Sequence, residues 1–150
     1  MKLSKESELF LKNNKEKKII FTNGCFDILH TGHVTYLNQA KKLGDLLFVG
    51  INSDKSVKRL KGFNRPINDE LSRKFILQNL KCVDCVEIYE DETPLELIKM
   101  VGPKVLVKGG DWSVESIVGA DFVLQSGGEV LSLKFVDGFS TTNIINKIKS

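Results

Sequence analysis

The sequence predicts an α/β fold, doubly wound, with a mostly parallel sheet and helices on both faces. Short apolar runs rich in β-branched residues recur at 19–22, 46–52, 86–89, 105–108, 122–125 and 130–136. Between the first four lie segments long enough for helices. Buried strands that alternate with helices build βαβ units, which close into a parallel sheet with right-handed crossovers. The residues that follow these strands are unusually polar, as expected where ligands bind at strand carboxyl ends.

Taken in order, residues 2–13 read as a short polar leading helix within an extension spanning 1–16, and 19–22 as the first strand. A helix over 32–43 would place His33, Leu37 and Ala40 at i, i+4 and i+7, on the face turned to the sheet. The strand 46–52 follows, then a helix over 69–80 on which Arg73, Leu77 and Leu80 share one face. The helix over 94–100 begins at Pro94, where the missing N–H costs nothing. Gly127-Gly128 marks a turn, and Ser140 an N-cap for a last helix carrying Ile144, Ile145 and Ile148 on its apolar side. There is no internal repeat and no linker, so residues 1–150 are expected to form one domain.

With 41% hydrophobic and 27% charged residues, the composition is that of a globular chain rather than a disordered one. The net charge of +3 suits a small anionic ligand. It is too weak and too evenly spread for nucleic acid, and aromatics are not interleaved with basic runs. No segment approaches the length of a membrane span. Residues 1–18 are charged throughout with no apolar signal core, which leads to the expectation of a cytoplasmic protein. The three cysteines, Cys25, Cys82 and Cys85, form no disulfide framework. Cys82-Val83-Asp84-Cys85 spells C-x-x-C, but with no second pair and no neighbouring His it reads as two part-buried thiols at a strand start. No protein-held metal is expected.

The run Thr22-Asn23-Gly24-Cys25-Phe26-Asp27-Ile28-Leu29-His30-Thr31-Gly32-His33 follows the first strand directly and contains both histidines. His33 would point inward at the strand ends while His30 approaches from the preceding loop, and Gly32 leaves room for close approach. Two imidazoles at the positive end of a helix make a donor set for an anion, and for charge developing on phosphorus. A lone histidine on an apolar face is ordinarily a core residue. Two in H-x-G-H at a strand-to-helix turn point to function.

Further along, Lys58-Arg59-Leu60-Lys61-Gly62 reads as a flexible basic stretch whose Lys61, or Lys58, could close over a triphosphate; a solvated loop is the alternative. Arg73 on an apolar face needs an anionic partner, a ligand phosphate or a structural carboxylate. Gly109-Gly110-Asp111 ends a buried strand and would let a nucleobase lie against backbone, with a plain tight turn as the alternative. Ser140-Thr141-Thr142 offers hydroxyls and free N–H groups to phosphate oxygens.

The motif run resembles the signature of the HxGH nucleotidyltransferase superfamily, and Gly24 to His33 resembles its cytidylyltransferase-like branch. Four further stretches extend the likeness over roughly residues 18–148. They are Gly50-Ile51-Asn52-Ser53-Asp54, Arg65-Pro66-Ile67-Asn68, Val107-Lys108-Gly109-Gly110-Asp111-Trp112 and Gly138-Phe139-Ser140-Thr141-Thr142. Together they resemble the D-glycero-β-D-manno-heptose 1-phosphate adenylyltransferase family, in its stand-alone form rather than the one fused to a kinase.

That resemblance implies a Rossmann-like fold and transfer of AMP from ATP to a heptose 1-phosphate, giving ADP-heptose and pyrophosphate for the lipopolysaccharide core. It implies His30, His33 and Lys61 as catalytic residues. Thr22, Asn23, Gly24, Phe26 and Gly32 would bind nucleotide, as would Lys108, Gly109, Asp111, Ser140, Thr141 and Thr142. Asp27, Asn52, Asp54 and Arg73 would face the acceptor. Mg²⁺ would arrive mainly on the triphosphate, the partners would be ATP and a sugar 1-phosphate, and the chain would form a homodimer. Cytidylyltransferases commonly have a basic residue after S-T-T and an arginine upstream. Here Asn143 and Phe135 occupy those regions, which fits the heptose branch better. A cytidylyltransferase for glycerol 3-phosphate or another alcohol phosphate, an FMN adenylyltransferase, and a non-catalytic nucleotide-binding subunit or sensor remain as alternatives.

Overall fold

The computed structural model describes residues 1–150. Five strands, β1 (Ile19–Gly24), β2 (Leu46–Asn52), β3 (Cys85–Tyr89), β4 (Val105–Gly109) and β5 (Glu129–Leu133), form one sheet in the order β3-β2-β1-β4-β5. Every pairing is parallel. Seven helices accompany them: α1 (Lys5–Asn13), α2 (Thr31–Lys41), α3 (Asp54–Lys61), α4 (Glu70–Gln78), α5 (Leu95–Val101), α6 (Ala120–Gln125) and α7 (Thr141–Lys149).

Alternation along the strands feeds two cores. Ile20, Leu47, Val49, Ile51, Val105 and Val107 pack under Tyr36, Leu37 and Ala40 of α2 and Leu77 of α4. Phe21, Phe48 and Leu106 point the other way, toward Leu97 and Ile98 of α5 and Val123 of α6. The leading helix α1 is capped by Ser4 and lays Phe10 edge-on against Phe48, so it belongs to this second layer. The doubly wound α/β fold is as the sequence predicts, with the sheet wholly parallel.

Two elements differ from the sequence reading. Residues 122–125, expected as a strand, lie in α6, where Ala120 and Val123 supply the buried side. A short apolar run has no periodicity that separates a strand from one turn and a half of buried helix. The basic stretch 58–62, expected as a flexible loop, is the end of α3. Ser53 caps that helix by accepting from the Ser56 N–H, Asp54 sits in its first turn, and Gly62 ends it at φ +94°. α7 is capped by Ser140, as expected, but no residue of it is buried. No helix is long and apolar enough to cross a membrane.

The sheet splits where the chain changes direction. β1 pairs with β2 as far as Gly24 opposite Ile51, but with β4 only through Ile20–Val105 and Phe21–Leu106. Beyond those pairs β1 and β4 part at their carboxyl ends. The buried Tyr36 hydroxyl bridges the gap, 2.6 Å from the Thr22 hydroxyl and donating to the Val107 carbonyl at 3.3 Å. A crevice at this switch point is where such sheets bind ligands.

Candidate active site

A cavity of about 580 Å³ fills that crevice. Its walls include Asn23, Gly24, Phe26, Asp27 and His33 from the motif run, Asn52 at the end of β2, Lys61, Lys108 and Gly109, and Thr141 at the start of α7. Ten residues singled out from sequence thus converge from five segments.

His30 is the N-cap of α2 in extended conformation and makes no capping hydrogen bond, which leaves its ring free to stack on His33. The ring centroids are 3.8 Å apart at 21°. Phe26 flanks His33 at 5.3 Å and Phe139 flanks His30 at 6.2 Å. Both Nδ1 atoms are buried with no partner, so each Nε2 is the atom left for a ligand. Burial depresses the His30 pKa. Burial, then the charges of His30 and Lys61, push that of His33 down to about 4. The pair therefore stands neutral at neutral pH. Gly32 leaves room for this stack: a Cβ there would press on the His30 ring and the Phe139 Cβ at 3.0 Å.

Lys61 lines the cavity and is close enough to act on His33, whereas Lys58 does not reach the wall. α3 is held by Arg59, which donates to the Glu90 carbonyl, and by the Lys55–Glu90 pair. The β3–α5 connection that carries Glu92 and Thr93 into the cavity is thereby tied to the helix carrying Lys61.

Two residues assigned to the acceptor lie beneath the site. Arg73 has no exposed side-chain surface and spends its donors on the carbonyls of Asn68 (3.0 Å) and Cys25 (2.7 Å) and on Asp54 (2.8 Å). Its anionic partner is a protein carboxylate, the structural one of the two alternatives. Asp27 reaches the wall, but its carboxylate is almost wholly buried and is taken by Arg65 at 2.7 Å and by the N–H groups of Ile67 and Asn68 at 2.9 Å. Burial raises its pKa, and these hydrogen bonds more than offset that to hold it low. Asp27 and Arg73 thus clamp the motif loop to residues 65–68. Asn52 donates to the Ser56 hydroxyl and still faces the cavity, while Asp54 is the half-buried partner of Arg73.

Thr22 sits behind the wall, bonded to Tyr36. Asp111 and Thr142 are exposed and outside it; Ser140 caps α7, and Thr141 donates to the Ile28 carbonyl. The glycines at 109 and 110 have ring neighbours, but the rings are the protein's own. A Cβ on Gly109 would lie 2.6 Å from Phe135, and one on Gly110 would lie 2.7 Å from the Trp112 indole nitrogen, which donates to the Gly109 carbonyl. Sequence reasoning missed the Tyr36 bridge, Arg65, and Tyr89, whose hydroxyl accepts from Asn23 at 3.0 Å. A tyrosine at i+3 from His33 on the sheet face was the available signal for the first.

Cys82 and Cys85 are free and buried, and burial pushes the Cys85 thiol up to about 11. They lie away from the cavity. Cys25, unflagged for chemistry, is in its wall.

A cytidylyltransferase-like family model matches residues 21–147. The bifunctional protein HldE of a Marinomonas species is 57% identical over 131 residues, which are 87% of this chain and 28% of that protein. That of a Nitratiruptor species is 53% identical over 147 residues, 97% of this chain and 31% of the relative. The chain therefore spans less than a third of the curated relatives it matches. Among solved structures, a lipopolysaccharide core biosynthesis protein from Thermoplasma volcanium superposes with a TM-score of 0.63 at 31% identity, covering 80% of this chain and 97% of that one. Pantothenate synthetase from Thermus thermophilus, at 16% identity and the same TM-score over 91% of this chain and 64% of that one, shares the fold.

Proposed function

The chain belongs to the cytidylyltransferase-like family and is a nucleotidyltransferase, and from that premise we propose that it transfers AMP from ATP to D-glycero-β-D-manno-heptose 1-phosphate. The observation that carries the reading is the stacked His30–His33 pair, neutral and with no hydrogen-bond partner on either Nδ1, at the N-terminus of α2 beside a cavity of about 580 Å³. The kinship with HldE proteins and with a lipopolysaccharide core biosynthesis protein supports the acceptor.

An oxygen of the sugar phosphate attacks the α-phosphorus of ATP, forming the new P–O bond. The bond from the α-phosphorus to the bridging oxygen breaks, and pyrophosphate leaves with that electron pair. The attacking oxygen is already ionised, so no base is needed and catalysis is positioning and charge neutralisation. His30 and His33 donate from Nε2 to phosphate oxygens as charge builds. Lys61 adds a cation from α3, and the open N–H groups at the start of α7 offer further donors.

Asp27 is engaged by Arg65 and the N–H groups of Ile67 and Asn68, so Mg²⁺ would arrive on the triphosphate and would supply charge neutralisation there. The test is to incubate the protein with ATP labelled at the α-phosphate and heptose 1-phosphate. Label recovered in a sugar nucleotide supports the reading, and label that stays in ATP overturns it.

A further inference from the structure

Val105 and Val107 of β4 face α2, and Leu106 faces α5 and α6. Alternation sends Lys108 to the α5/α6 side as well, away from the face that α2 covers. On β1, Thr22 turns to Tyr36 on the α2 side, so Asn23 turns with Lys108, and Tyr89 fixes its amide. A side cavity of about 130 Å³ opens between them, bounded also by Ser116 and Ile117, and it shares Asn23, Lys108, Pro94, Trp112 and Val118 with the large one. The Lys108 ammonium is half-buried and lies 6.0 Å from the Trp112 ring centroid, with no carboxylate paired to it. Burial lowers its pKa. An ammonium held in a crevice without a counter-charge is a group awaiting an anion.

We propose that Lys108 binds the phosphate of the acceptor rather than the nucleotide, with Asn23 and the side cavity receiving the hydroxyl-bearing body beside it. In-line displacement requires the acceptor opposite the departing pyrophosphate. The histidine pair at α2 takes the triphosphate, and Lys108 stands on the other side of the parted strands. The inference rests on the reading of the chain as a transferase to a phosphate-bearing acceptor.

Steady-state kinetics of wild type, Lys108→Met and Lys108→Arg test it, with heptose 1-phosphate and glycerol 3-phosphate each offered with ATP. Loss of one charged contact should raise the acceptor KM of Lys108→Met about 10- to 100-fold while the ATP KM stays within about two-fold, and arginine should restore part of the loss. A rise in the ATP KM with an unchanged acceptor KM, or no change in either, overturns the inference. Wild-type turnover with glycerol 3-phosphate alone would remove heptose as acceptor yet leave the Lys108 test standing on that acceptor. No turnover with either would remove both readings.

Discussion

Replacing Arg73 with methionine separates two uses of a buried arginine. The structure gives it three hydrogen-bonded partners, the Asp54 carboxylate and the carbonyls of Cys25 and Asn68, with no exposed side-chain surface. Methionine keeps most of the volume and leaves all three acceptors without donors. Breaking a buried ion pair by removing one partner costs about 3–5 kcal/mol. Asp54 keeps 30% of its side-chain surface and can recover water, which argues for the lower half of that range. For a chain of this size, each kcal/mol moves the thermal midpoint by about 2–4 °C, so a fall of roughly 6–16 °C is expected. Scanning calorimetry reads this directly. The double variant Asp54→Asn with Arg73→Met should regain part of the loss, because the stranded charge goes with the arginine. A midpoint within roughly 2 °C of wild type together with a collapse in ATP turnover would refute the reasoning, since that is the signature of a phosphate ligand.

His33→Ala should lower kcat by about 10²–10³ with the thermal midpoint nearly unchanged, and pyrophosphate release checks it. Gly32→Ala, whose Cβ would press on the His30 ring, should lower kcat by about ten-fold or more while leaving the urea midpoint level or raised, since alanine favours the helix by about 1 kcal/mol. For pH, the folded His33 pKa of about 4 lies below its ordinary 6.5, so the unfolded chain binds the extra proton between those values. Stability should therefore rise with pH across that window and gain nothing from this group above it. Urea midpoints across the window should show a shallower slope for His33→Gln. ATP binding should take up protons in that same window as the phosphates raise the histidine pKa, measured by calorimetry in buffers of differing ionisation enthalpy. A proton balance of zero would show that the histidines stay neutral in the complex.

The β-branched strands and the H-x-G-H turn were legible because each carries a local signal: short apolar runs, buried on both faces, in β1 and β2, and paired imidazoles at the start of a helix. What sequence spacing could not deliver was the destination of charged side chains. Arg73 was placed on the sheet-facing side of its helix, but whether it met a ligand or Asp54 depended on α3 forming at all, and the polar run from Asn52 to Ser56 gave no apolar stripe to reveal that helix. Asp27 was similarly read as free, because the N–H groups that hold it come from residues 67 and 68, forty positions away. At Gly109 and Gly110 the sequence suggested a ligand's ring against backbone; it could not say that the protein's own Phe135 and Trp112 lie there.

Pyrophosphate release with ATP, CTP and GTP, each set against heptose 1-phosphate, glycerol 3-phosphate and FMN with Mg²⁺, tests the central claim most directly. Turnover is expected for ATP with heptose 1-phosphate, lowered about 10²–10³-fold by His33→Ala. Turnover confined to CTP or to another acceptor would contradict the substrate assignment, and silence across the whole set with measurable ATP binding would contradict the proposed reaction.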